Sequence, residues 1–385
     1  MEKKVVIFLL GSPFNARHAE RIGVDQYKSS NIEFFVWECL FSNSTNQRPI
    51  DCCSDIYENV IRITSIRSVS NALRSLRGHK AIFIDSLGVD FTSRLTRSII
   101  KQKGHKIGLL KIQHLLKPRT NFIISAYKRI RSINGLAIRT INALMKITLP
   151  QTQYDFLIFA GSMGCLNSIN HRIETCTFDV ATHNCCDVFR LQDTRKQKYG
   201  NRYIVFLDNG SYVHPDTEEC HLYIKGEKKD FANKLKVFFN EIEKKIGGKV
   251  IIAAHPKIPR EHYSELYTEF QVEFNKTASL VKGAVATCMI SSNSMGFAVL
   301  SKKPMIIITD DNHVRSYIGD YQNKASKVLG CPIYNIDDGK WVVDLPELDE
   351  NKYDNFLTTY MSSRAFSSNE TVWLPFISGL LNNEI

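Results

Sequence analysis

Two stretches in the second half of the chain decide the fold: KVIIAAHPK at residues 249–257 and AVATCMISSNSMGF at residues 284–297. Each begins with a short apolar run of the length of a buried β-strand and continues directly into polar residues. The second polar run leads into a stretch with helical spacing, Ser294–Leu300. Strand, polar loop and helix in this order predict a parallel sheet covered by helices.

The same alternation extends along the whole chain. Further strands are predicted at Val5–Leu10, Glu33–Trp37, Ala81–Asp85, Ile107–Leu110, Phe156–Phe159, Tyr203–Leu207, Pro304–Ile308 and near Ile333. Helical patterns are found at Val69–Leu76, Thr92–Gln102, Asp230–Ile246, Pro259–Tyr267, Asn351–Met361 and Val372–Leu381. We therefore predict an α/β protein with two Rossmann-like units of roughly equal size that face each other across a cleft.

A change of composition marks the predicted domain boundary. Polar and charged residues dominate Leu191–Arg202, and a chain of 385 residues is long enough for two domains. We assign residues 1–200 to an N-terminal domain and residues 201–385 to a C-terminal domain. The last helix is predicted to pack back on the N-terminal domain.

The composition argues against several classes of protein. Apolar residues make up 43% of the chain and charged residues 23%, which argues against a disordered chain, a collagen or a coiled coil. A membrane-spanning helix needs about 20 mainly apolar residues, and the first apolar run, Val5–Leu10, is too short for a signal peptide. The ten cysteines include two vicinal pairs but no CxxC motif. This pattern predicts reduced thiols, no structural metal and a cytoplasmic location.

The positive charge is concentrated in one segment. The net charge is +11, and residues 91–154 carry thirteen Lys and Arg with no Asp or Glu. Apolar residues recur at three- and four-residue steps over residues 121–147, as in an amphipathic helix. A basic amphipathic segment predicts peripheral binding to an anionic membrane surface, here on the inner face of the cytoplasmic membrane. A solvated helix packed on the first domain is the competing interpretation, and nucleic-acid binding has little aromatic support.

The first candidate site motif follows the strand Tyr203–Leu207. It consists of Asp208, Asn209 and Gly210. A carboxylate at the end of a strand is a candidate general base, and the glycine permits a close approach of a ligand. The same three residues also form a favourable turn, so a purely structural role stays open.

The other two motifs offer groups that bind phosphate. His255, Pro256 and Lys257 follow one strand, and a histidine there can hydrogen-bond a phosphate oxygen or protonate a leaving group. Ser291, Ser292, Asn293 and Ser294 follow another strand and precede a helix. Hydroxyl donors next to a helix N-terminus suit phosphate, although serine is also a common helix cap.

Together the three motifs resemble the donor half of GT-B glycosyltransferases. An acidic residue before glycine, a His-Pro motif and a Ser-Ser pair look like those of bacterial sialyltransferases, polysialyltransferases and Kdo transferases, over residues 203–311. This resemblance implies metal-independent, inverting transfer of a 2-keto sugar acid from a CMP-linked donor to a glycan or lipid-linked glycan acceptor, without a further cofactor. It implies Asp208 as the base, with His255, Ser291 and Ser292 on the CMP phosphate. It places the protein in surface-polysaccharide or lipopolysaccharide synthesis.

One position departs from the resemblance. Asn209 stands where those families usually have a second acidic residue, so Asp179, Asp187 and Asp216 are rival candidates for the base. Asp216 belongs to a second His-Pro dipeptide, His214-Pro215, which follows no predicted strand and therefore ranks below His255.

Three other functions compete with the CMP-sugar reading. Retaining GT-B enzymes that use UDP- or GDP-sugars often carry two glutamates eight positions apart, but Glu265 and Glu273 precede the relevant strand and their spacing is attributed to chance. A polyol-phosphate transferase that uses a CDP-alditol also resembles GT-B and relies on His and Ser/Thr groups. A non-enzymatic, basic membrane- or RNA-binding protein is the alternative from a different class.

Overall fold

A computed structural model of the chain describes residues 4–41, 57–111, 116, 153–163, 177–179, 202–214, 224, 226–361 and 373–382, except residues 16, 17, 20, 21, 28, 29, 89, 211 and 257. The chain divides into two compact units. The first contains Met1–Gln113, Asn121–Arg190 and Ser362–Ile385, and the second contains His114–Thr120 and Leu191–Met361. The polar stretch 191–201, where the boundary was predicted, lies outside the described residues.

The described part of the first unit is built on a seven-stranded sheet in which every neighbouring pair is parallel. Its strands are β1 Lys4–Leu10, β2 Ile32–Cys39, β3 Val60–Ile63, β4 Lys80–Asp85, β5 Lys106–Lys111, β6 Phe156–Phe159 and β7 Thr177–Asp179. They lie in the order β3-β2-β1-β4-β5-β6-β7. The helices are α1 Val24–Tyr27, α2 Ile66–Ser75, α3 Phe91–Gln102 and the Trp373–Asn382 helix.

Burial explains which strands were predicted. Six of the seven residues of β1 are buried, because its two faces pack against two different core clusters, and this produces a continuous apolar run. All five strands predicted in this half are present. β3 was not predicted, because it is an edge strand in which only Ile63 is buried, so its hydrophobic signal is short.

The Trp373–Asn382 helix belongs to the first unit, although it is close in sequence to the second. Trp373, Ile377 and Leu381 are buried in one of the first unit's two core clusters. The Trp373 ring meets the Phe8 ring edge to face, with centroids 5.5 Å apart. The first unit's core is therefore completed by a segment distant in sequence from its sheet.

The described part of the second unit is built on a six-stranded sheet, again with parallel neighbours throughout. Its strands are β8 Tyr203–Leu207, β9 Lys249–Ala253, β10 Gln271–Glu273, β11 Ala286–Met289, β12 Met305–Thr309 and β13 Ile333–Asn335. The helices are α4 Lys228–Ile246, α5 Arg260–Leu266, α6 Thr277–Gly283, α7 Met295–Leu300, α8 Asp311–Val314, α9 Tyr317–Leu329 and α10 Glu350–Phe356, which continues as a π-helical turn over Leu357–Met361.

Helix α9 was not predicted, although it is one of the longer helices described. Its buried face includes Gly319, Gln322 and Ala325 beside larger apolar residues, and this mixture weakens the helical hydrophobic pattern. Helix α4, in contrast, buries Phe231, Leu235, Phe238, Phe239, Ile242 and Ile246 at three- and four-residue steps. Its pattern is correspondingly clear, and it begins only two residues before the predicted start.

Both sheets have the strand order of a Rossmann fold. The second sheet runs β10-β9-β8-β11-β12-β13, so the chain moves outward in one direction from β8 and then restarts on its other side at β11. Ligands of such sheets bind beyond the carboxyl ends of the strands, where this reversal of direction occurs. In the second unit that point lies between β8 and β11, and in the first between β1 and β4.

A buried ion pair in the first unit uses one cation of the basic segment. Arg97 of α3 is 5% exposed, and its Nε donates to Oδ2 of Asp85 over 2.6 Å. The Tyr154 hydroxyl donates to the same oxygen, also over 2.6 Å. Arg97 Nη2 donates to the carbonyl oxygens of Leu87 and Gly88, in the loop after β4. Arg97 therefore holds a loop at the carboxyl edge of the sheet and is not available to a membrane surface.

This ion pair changes how the basic segment is interpreted. Lys101 is also paired, with its Nζ 2.6 Å from Oδ1 of Asp155. Residues 117–152 carry seven of the thirteen cations and include the amphipathic pattern, and they lie outside the described residues. In the described part of the segment, Arg97 and Lys101 of α3 therefore pair with carboxylates of the first unit. Membrane binding by the segment stays a prediction.

Replacing Arg97 by methionine should strongly destabilise the first unit. Methionine fills much of the same space but leaves the Asp85 carboxylate buried without its cation. Removing one partner of a buried ion pair costs about 3–5 kcal/mol. We expect a loss of that size in the free energy of unfolding, measured by urea denaturation and followed by the fluorescence of the buried Trp37 and Trp373.

Lys103→Met is the matched control, because Lys103 is exposed and directly follows the same helix. Its effect on the free energy of unfolding should stay within about 0.5 kcal/mol, as is usual for surface substitutions. Equal losses in the two variants would contradict a special role for the buried pair.

Candidate functional site

The three motifs singled out in the sequence lie on neighbouring strands of the second sheet. Asp208 follows β8, His255 follows β9 after one further residue, and Ser291 follows β11 in the same way. The strands lie in the order β9-β8-β11, so the three loops meet at the carboxyl edge where the direction of the sheet reverses. The predicted residues are thus brought together by the topology.

Asp208 connects the first two loops. Its side chain is 7% exposed, and its Oδ1 accepts a hydrogen bond from the Gly210 N–H over 3.1 Å. Its Oδ2 accepts a hydrogen bond from the Tyr263 hydroxyl over 2.6 Å. The Tyr263 oxygen in turn accepts the His255 N–H over 2.7 Å. One buried carboxylate therefore fixes its own turn and, through Tyr263, the backbone of the histidine loop.

Burial determines the electrostatics of this carboxylate. Desolvation raises the pKa of Asp208 above its ordinary value, while the hydrogen bonds from Tyr263 and Gly210 partly oppose the rise. Burial and the neighbouring carboxylate also raise the pKa of Tyr263, so its hydroxyl stays protonated and remains a donor.

Gly210 is required by the geometry of the turn. Its φ is +60°, in the left-handed region that favours glycine. A Cβ at this position would lie 2.6 Å from Cδ1 of Ile258. The Val213 N–H donates to the Gly210 carbonyl over 2.8 Å and closes the turn. A larger residue would therefore displace either the turn or the loop after β9.

Asn209 links the loops after β8 and β11. Its Nδ2 donates to Oγ of Ser291 over 2.6 Å. This is the position where the resembling families usually have a second acidic residue, and an ionised carboxylate has no proton to donate here. The amide therefore fits the observed contact, and the departure from the family pattern coincides with a specific hydrogen bond.

The rest of the serine run is partly engaged in local structure. Ser292 Oγ accepts the Ser294 N–H over 3.1 Å, and the Ser292 carbonyl accepts a hydrogen bond from the Tyr321 hydroxyl. Asn293 is exposed, and Ser294 precedes α7 without a side-chain capping bond. Because α7 has only six residues, we expect the dipole of this helix to add little to phosphate binding. The hydroxyl groups are the stronger feature of this loop.

Gln322, which the sequence did not single out, braces the ends of two strands. It is 2% exposed, and its Nε2 donates to the carbonyls of Ile290 and Ile308 over 3.1 and 2.9 Å. Its Oε1 accepts a hydrogen bond from Thr309 Oγ1 over 2.8 Å. This side chain fixes the end of β11 from which the serine loop starts. A polar residue in the buried face of a helix was the available signal, but α9 itself was not predicted.

His214 lies beside His255. The centroids of the two imidazole rings are 4.7 Å apart, and the rings are inclined by 66°. The loop that carries His214 is tied down where the Tyr212 hydroxyl donates to Oδ2 of Asp310 over 2.8 Å. His214 had been ranked below His255 because it follows no strand. The turn at Gly210 nevertheless returns the chain to the same edge.

The other candidate residues fall in different places. Pro256 follows His255 in the described loop, where the Ile258 N–H donates to the His255 carbonyl over 3.1 Å. Asp179 ends β7 in the first unit, where only its backbone is described. Glu265 is exposed and lies 3.3 Å from Lys228 Nζ, as in an ordinary surface ion pair. Asp187, Asp216 and Lys257 lie outside the described residues.

Three further findings concern only the described part of the chain. Cys39, Cys288 and Cys331 are buried and free. Within the described ranges, no group of three or more His, Cys, Asp or Glu side chains is arranged to hold a metal ion. Among the helices described above, none is both long and apolar enough to cross a membrane.

No protein-family model and no curated protein sequence matches this chain. Solved structures match it over nearly its whole length. A putative UDP-N-acetylglucosamine 2-epimerase from Listeria monocytogenes is 8% identical, with a TM-score of 0.53, and the match covers 99% of this chain and 97% of that one. A structure of the wall teichoic acid polymerase TagF is 12% identical, with a TM-score of 0.52 and coverage of 99% and 89%. A second TagF structure, soaked with CDPG, is 11% identical, with a TM-score of 0.51 and the same coverage.

At these identities the similarity establishes the fold alone. The chain has two Rossmann-like domains and is similar to proteins of the GT-B fold, as the sequence motifs implied. None of these three structures is a sialyltransferase, a polysialyltransferase or a Kdo transferase. The narrower resemblance therefore depends on the sequence motifs.

Tyr263→Phe should destabilise the second unit in a pH-dependent way. The substitution removes a donor to Asp208 and an acceptor for the His255 N–H, and leaving buried polar groups unpaired costs about 1–3 kcal/mol. Without the Tyr263 hydroxyl, the folded-state pKa of Asp208 should rise further. A carboxyl whose folded pKa lies above its unfolded value loses stability as the pH rises between the two. The loss in the free energy of unfolding should therefore be larger at pH 7 than at pH 4.

Tyr353→Phe is the matched control, measured by urea denaturation at both pH values. Tyr353 is equally buried, and its hydroxyl donates to the Lys303 carbonyl over 2.9 Å instead of to a carboxylate. Its loss should be similar at the two pH values. A pH-independent loss in Tyr263→Phe as well would mean that the hydroxyl does not act through the charge of Asp208.

Proposed function

We propose that the protein is a transferase that uses a nucleotide-activated donor and binds the donor's phosphate at the carboxyl edge of the second unit's sheet. The observation that carries the proposal is the placement of His255 and Ser291 on either side of β8. Ser291 accepts a hydrogen bond from Asn209 in the loop after β8, and the His255 N–H donates to Tyr263, which in turn donates to Asp208 in that loop. Imidazole and hydroxyl donors at this edge suit a phosphate group. Gly210, Pro256, Lys257, Ser292, Asn293 and Ser294 complete the proposed donor site.

Two cytidine-nucleotide donors, a CDP-alditol and a CMP-sugar, are supported by different observations. The similarity to TagF, one structure of which was soaked with CDPG, supports a CDP-linked alditol donor and transfer of a polyol phosphate. The sequence motifs support a CMP-linked sugar acid and inverting transfer of the sugar. We favour the CDP-alditol reading, because the structural comparisons support it in addition to the histidine and serine groups.

Both cytidine readings share one leaving group. With a CDP-alditol, the acceptor oxygen attacks the outer phosphorus and CMP departs. With a CMP-sugar, the acceptor oxygen attacks the anomeric carbon and CMP again departs. In each case the acceptor hydroxyl loses a proton and negative charge accumulates on the CMP phosphate. The reaction therefore requires hydrogen-bond donors of the protein that stabilise this charge.

A UDP-linked donor is the second candidate. The Listeria protein, a putative UDP-N-acetylglucosamine 2-epimerase, is the observation that favours it. In that case the nucleotide bound most tightly would be UDP. Nucleotide preference therefore separates the candidates directly.

Asp208 is the proposed general base. Burial raises its pKa, and a base works best when its pKa approaches the working pH. Both of its oxygens already accept hydrogen bonds, so an anchoring role for the two loops competes with the base role. The two roles predict different effects on nucleotide binding.

The acceptor and the location of the protein are proposed from the sequence. A glycan or lipid-linked glycan acceptor in polysaccharide synthesis fits a transferase that works at the inner surface of the cytoplasmic membrane. The basic segment 91–154 is the proposed contact with anionic lipid. Arg97 and Lys101 are excluded from that contact, because they pair with carboxylates of the protein. Salt-sensitive binding of random RNA without any nucleotide binding would favour the non-enzymatic alternative.

CMP should stabilise the folded protein more than UDP or GDP does. A ligand at 100 times its dissociation constant adds about 2.7 kcal/mol to the stability, which raises the melting temperature by a few degrees. The measurement is a thermal-shift series with CMP, CDP, UDP and GDP at equal concentrations. A larger shift with UDP, with none from CMP, would contradict the cytidine readings. No shift with any nucleotide would contradict the proposed function.

Asp208→Asn and His255→Ala should affect turnover and binding differently. His255→Ala should weaken CMP binding, because removing a hydrogen bond to a charged group costs about 1.5–3 kcal/mol. If Asp208 is the base, Asp208→Asn should lower turnover about 10²–10⁴-fold and leave CMP affinity nearly unchanged. Calorimetry with CMP and an assay of CMP release from CDP-glycerol or a CMP-sugar measure the two quantities.

Asp320→Asn is the matched control, since Asp320 is an exposed carboxylate in the same unit. It should change neither quantity. A parallel loss of affinity and turnover in Asp208→Asn would show that Asp208 anchors the loops. Near-normal turnover would direct the search for the base to Asp179, Asp187 or Asp216.

A further inference from the structure

The chain contains two His-Pro dipeptides, His214-Pro215 and His255-Pro256, and the two histidines lie side by side in the structure. His214 lies in the loop after β8 and His255 in the loop after β9. The two imidazole rings lie 4.7 Å apart between centroids and meet edge to face. Both histidines are half-buried.

Hydrogen bonds hold the described residues next to each ring. Three hydrogen bonds hold the first loop: the Gly210 N–H donates to Asp208, the Val213 N–H donates to the Gly210 carbonyl, and the Tyr212 hydroxyl donates to Asp310. Asp310 is itself 2% exposed and also accepts the backbone N–H of His313 over 2.6 Å. These hydrogen bonds anchor the residues that directly precede His214.

The second loop is anchored on the same carboxylate as the first. The His255 N–H donates to the Tyr263 oxygen, whose hydroxyl donates to Oδ2 of Asp208. The two oxygens of Asp208 thus serve the two histidine loops separately. Because hydrogen bonds connect both loops to the Asp208 carboxylate, we expect the two imidazoles to be held close together before a ligand binds.

We propose that His214 is a second phosphate-binding residue, which acts with His255 as a pair of imidazole donors on one phosphate of the donor nucleotide. This inference rests on the proposed function and adds a residue to it. A phosphate has several acceptor oxygens directed away from one phosphorus, so two donors that approach at an angle can each reach a different oxygen. An anion bound at the exposed edge of both rings would also offset the repulsion that two protonated imidazoles experience side by side.

The test compares CMP with cytidine, which lacks the phosphate, by calorimetry on the full-length protein. If UDP gives the larger thermal shift, UDP and uridine replace them. His214→Ala and His255→Ala should each weaken binding of the nucleotide about 10- to 100-fold, as expected for loss of a hydrogen bond to a charged group. Neither variant should weaken binding of the nucleoside by more than about twofold. The double variant should lose less than the product of the single losses, because both rings contact the same phosphate.

Two further variants keep the test decisive. His105→Ala removes an imidazole from the first unit, where it packs against Phe83, and should leave nucleotide affinity unchanged. His214→Gln retains a hydrogen-bond donor and should recover part of the affinity lost in His214→Ala, which also serves if the alanine variant does not fold.

The outcomes separate this inference from the proposed function. If His255→Ala loses affinity while His214→Ala and His214→Gln bind the nucleotide as the wild type does, the proposed function stands and the inference is wrong. Equal losses for nucleotide and nucleoside in His214→Ala would also overturn it, because the ring would then act on the base or on the fold. If the wild type binds no nucleotide, both proposals fail.

Discussion

The hydrogen bond from the Tyr263 hydroxyl to the Asp208 carboxylate is the interaction on which the candidate site depends. A carboxylate that is 7% exposed must be hydrogen-bonded, because an unpaired charge in the interior is unstable. Asp208 meets this requirement with one donor from its own turn and one from Tyr263. Since Tyr263 also accepts the His255 N–H, the need to pair one buried charge fixes the position of two loops.

The polar side chains at this edge of the sheet fall into two groups that differ in burial. Fully buried polar side chains, such as Gln322 and Asp310, have their hydrogen bonds directed at the backbone or at other side chains of the protein. His214, His255 and Ser291, at the same edge of the sheet, are half-buried. Groups held in this way need little reorganisation when a ligand binds, and such preorganisation is the main source of electrostatic stabilisation in enzymes. Under the proposed function, the rigid buried side chains would therefore hold the half-buried ones in position for a ligand.

Much of the fold follows from the sequence, because strands buried on both faces leave continuous apolar runs, as in β1 and β8. The adjacency of Asp208, His255 and Ser291 follows as soon as those strands are placed in Rossmann order. Other partners could not be predicted in this way. Tyr263 meets Asp208, Asn209 meets Ser291 and Tyr212 meets Asp310 through side-chain hydrogen bonds between residues 55, 82 and 98 positions apart, and such distances leave no periodic signal. Helix α9 was missed because the residues it buries include the polar and small side chains that brace the sheet.

Under the proposed function, the choice of nucleotide and the choice of transferred group are separate properties of the protein. The groups gathered at the edge of the second sheet are imidazoles, a hydroxyl and an amide, while the nearby carboxylate of Asp208 is buried and directed into the loops. These hydrogen-bonding groups would act on the phosphate of the leaving group, which is CMP whether the nucleotide substrate is a CDP-alditol or a CMP-sugar. The transferred group lies on the other side of the breaking bond and is selected by other contacts. The resemblance of the motifs to those of CMP-sugar enzymes and the similarity of the fold to TagF are therefore compatible, because a common leaving group suits a common phosphate site and leaves the acceptor side free to differ.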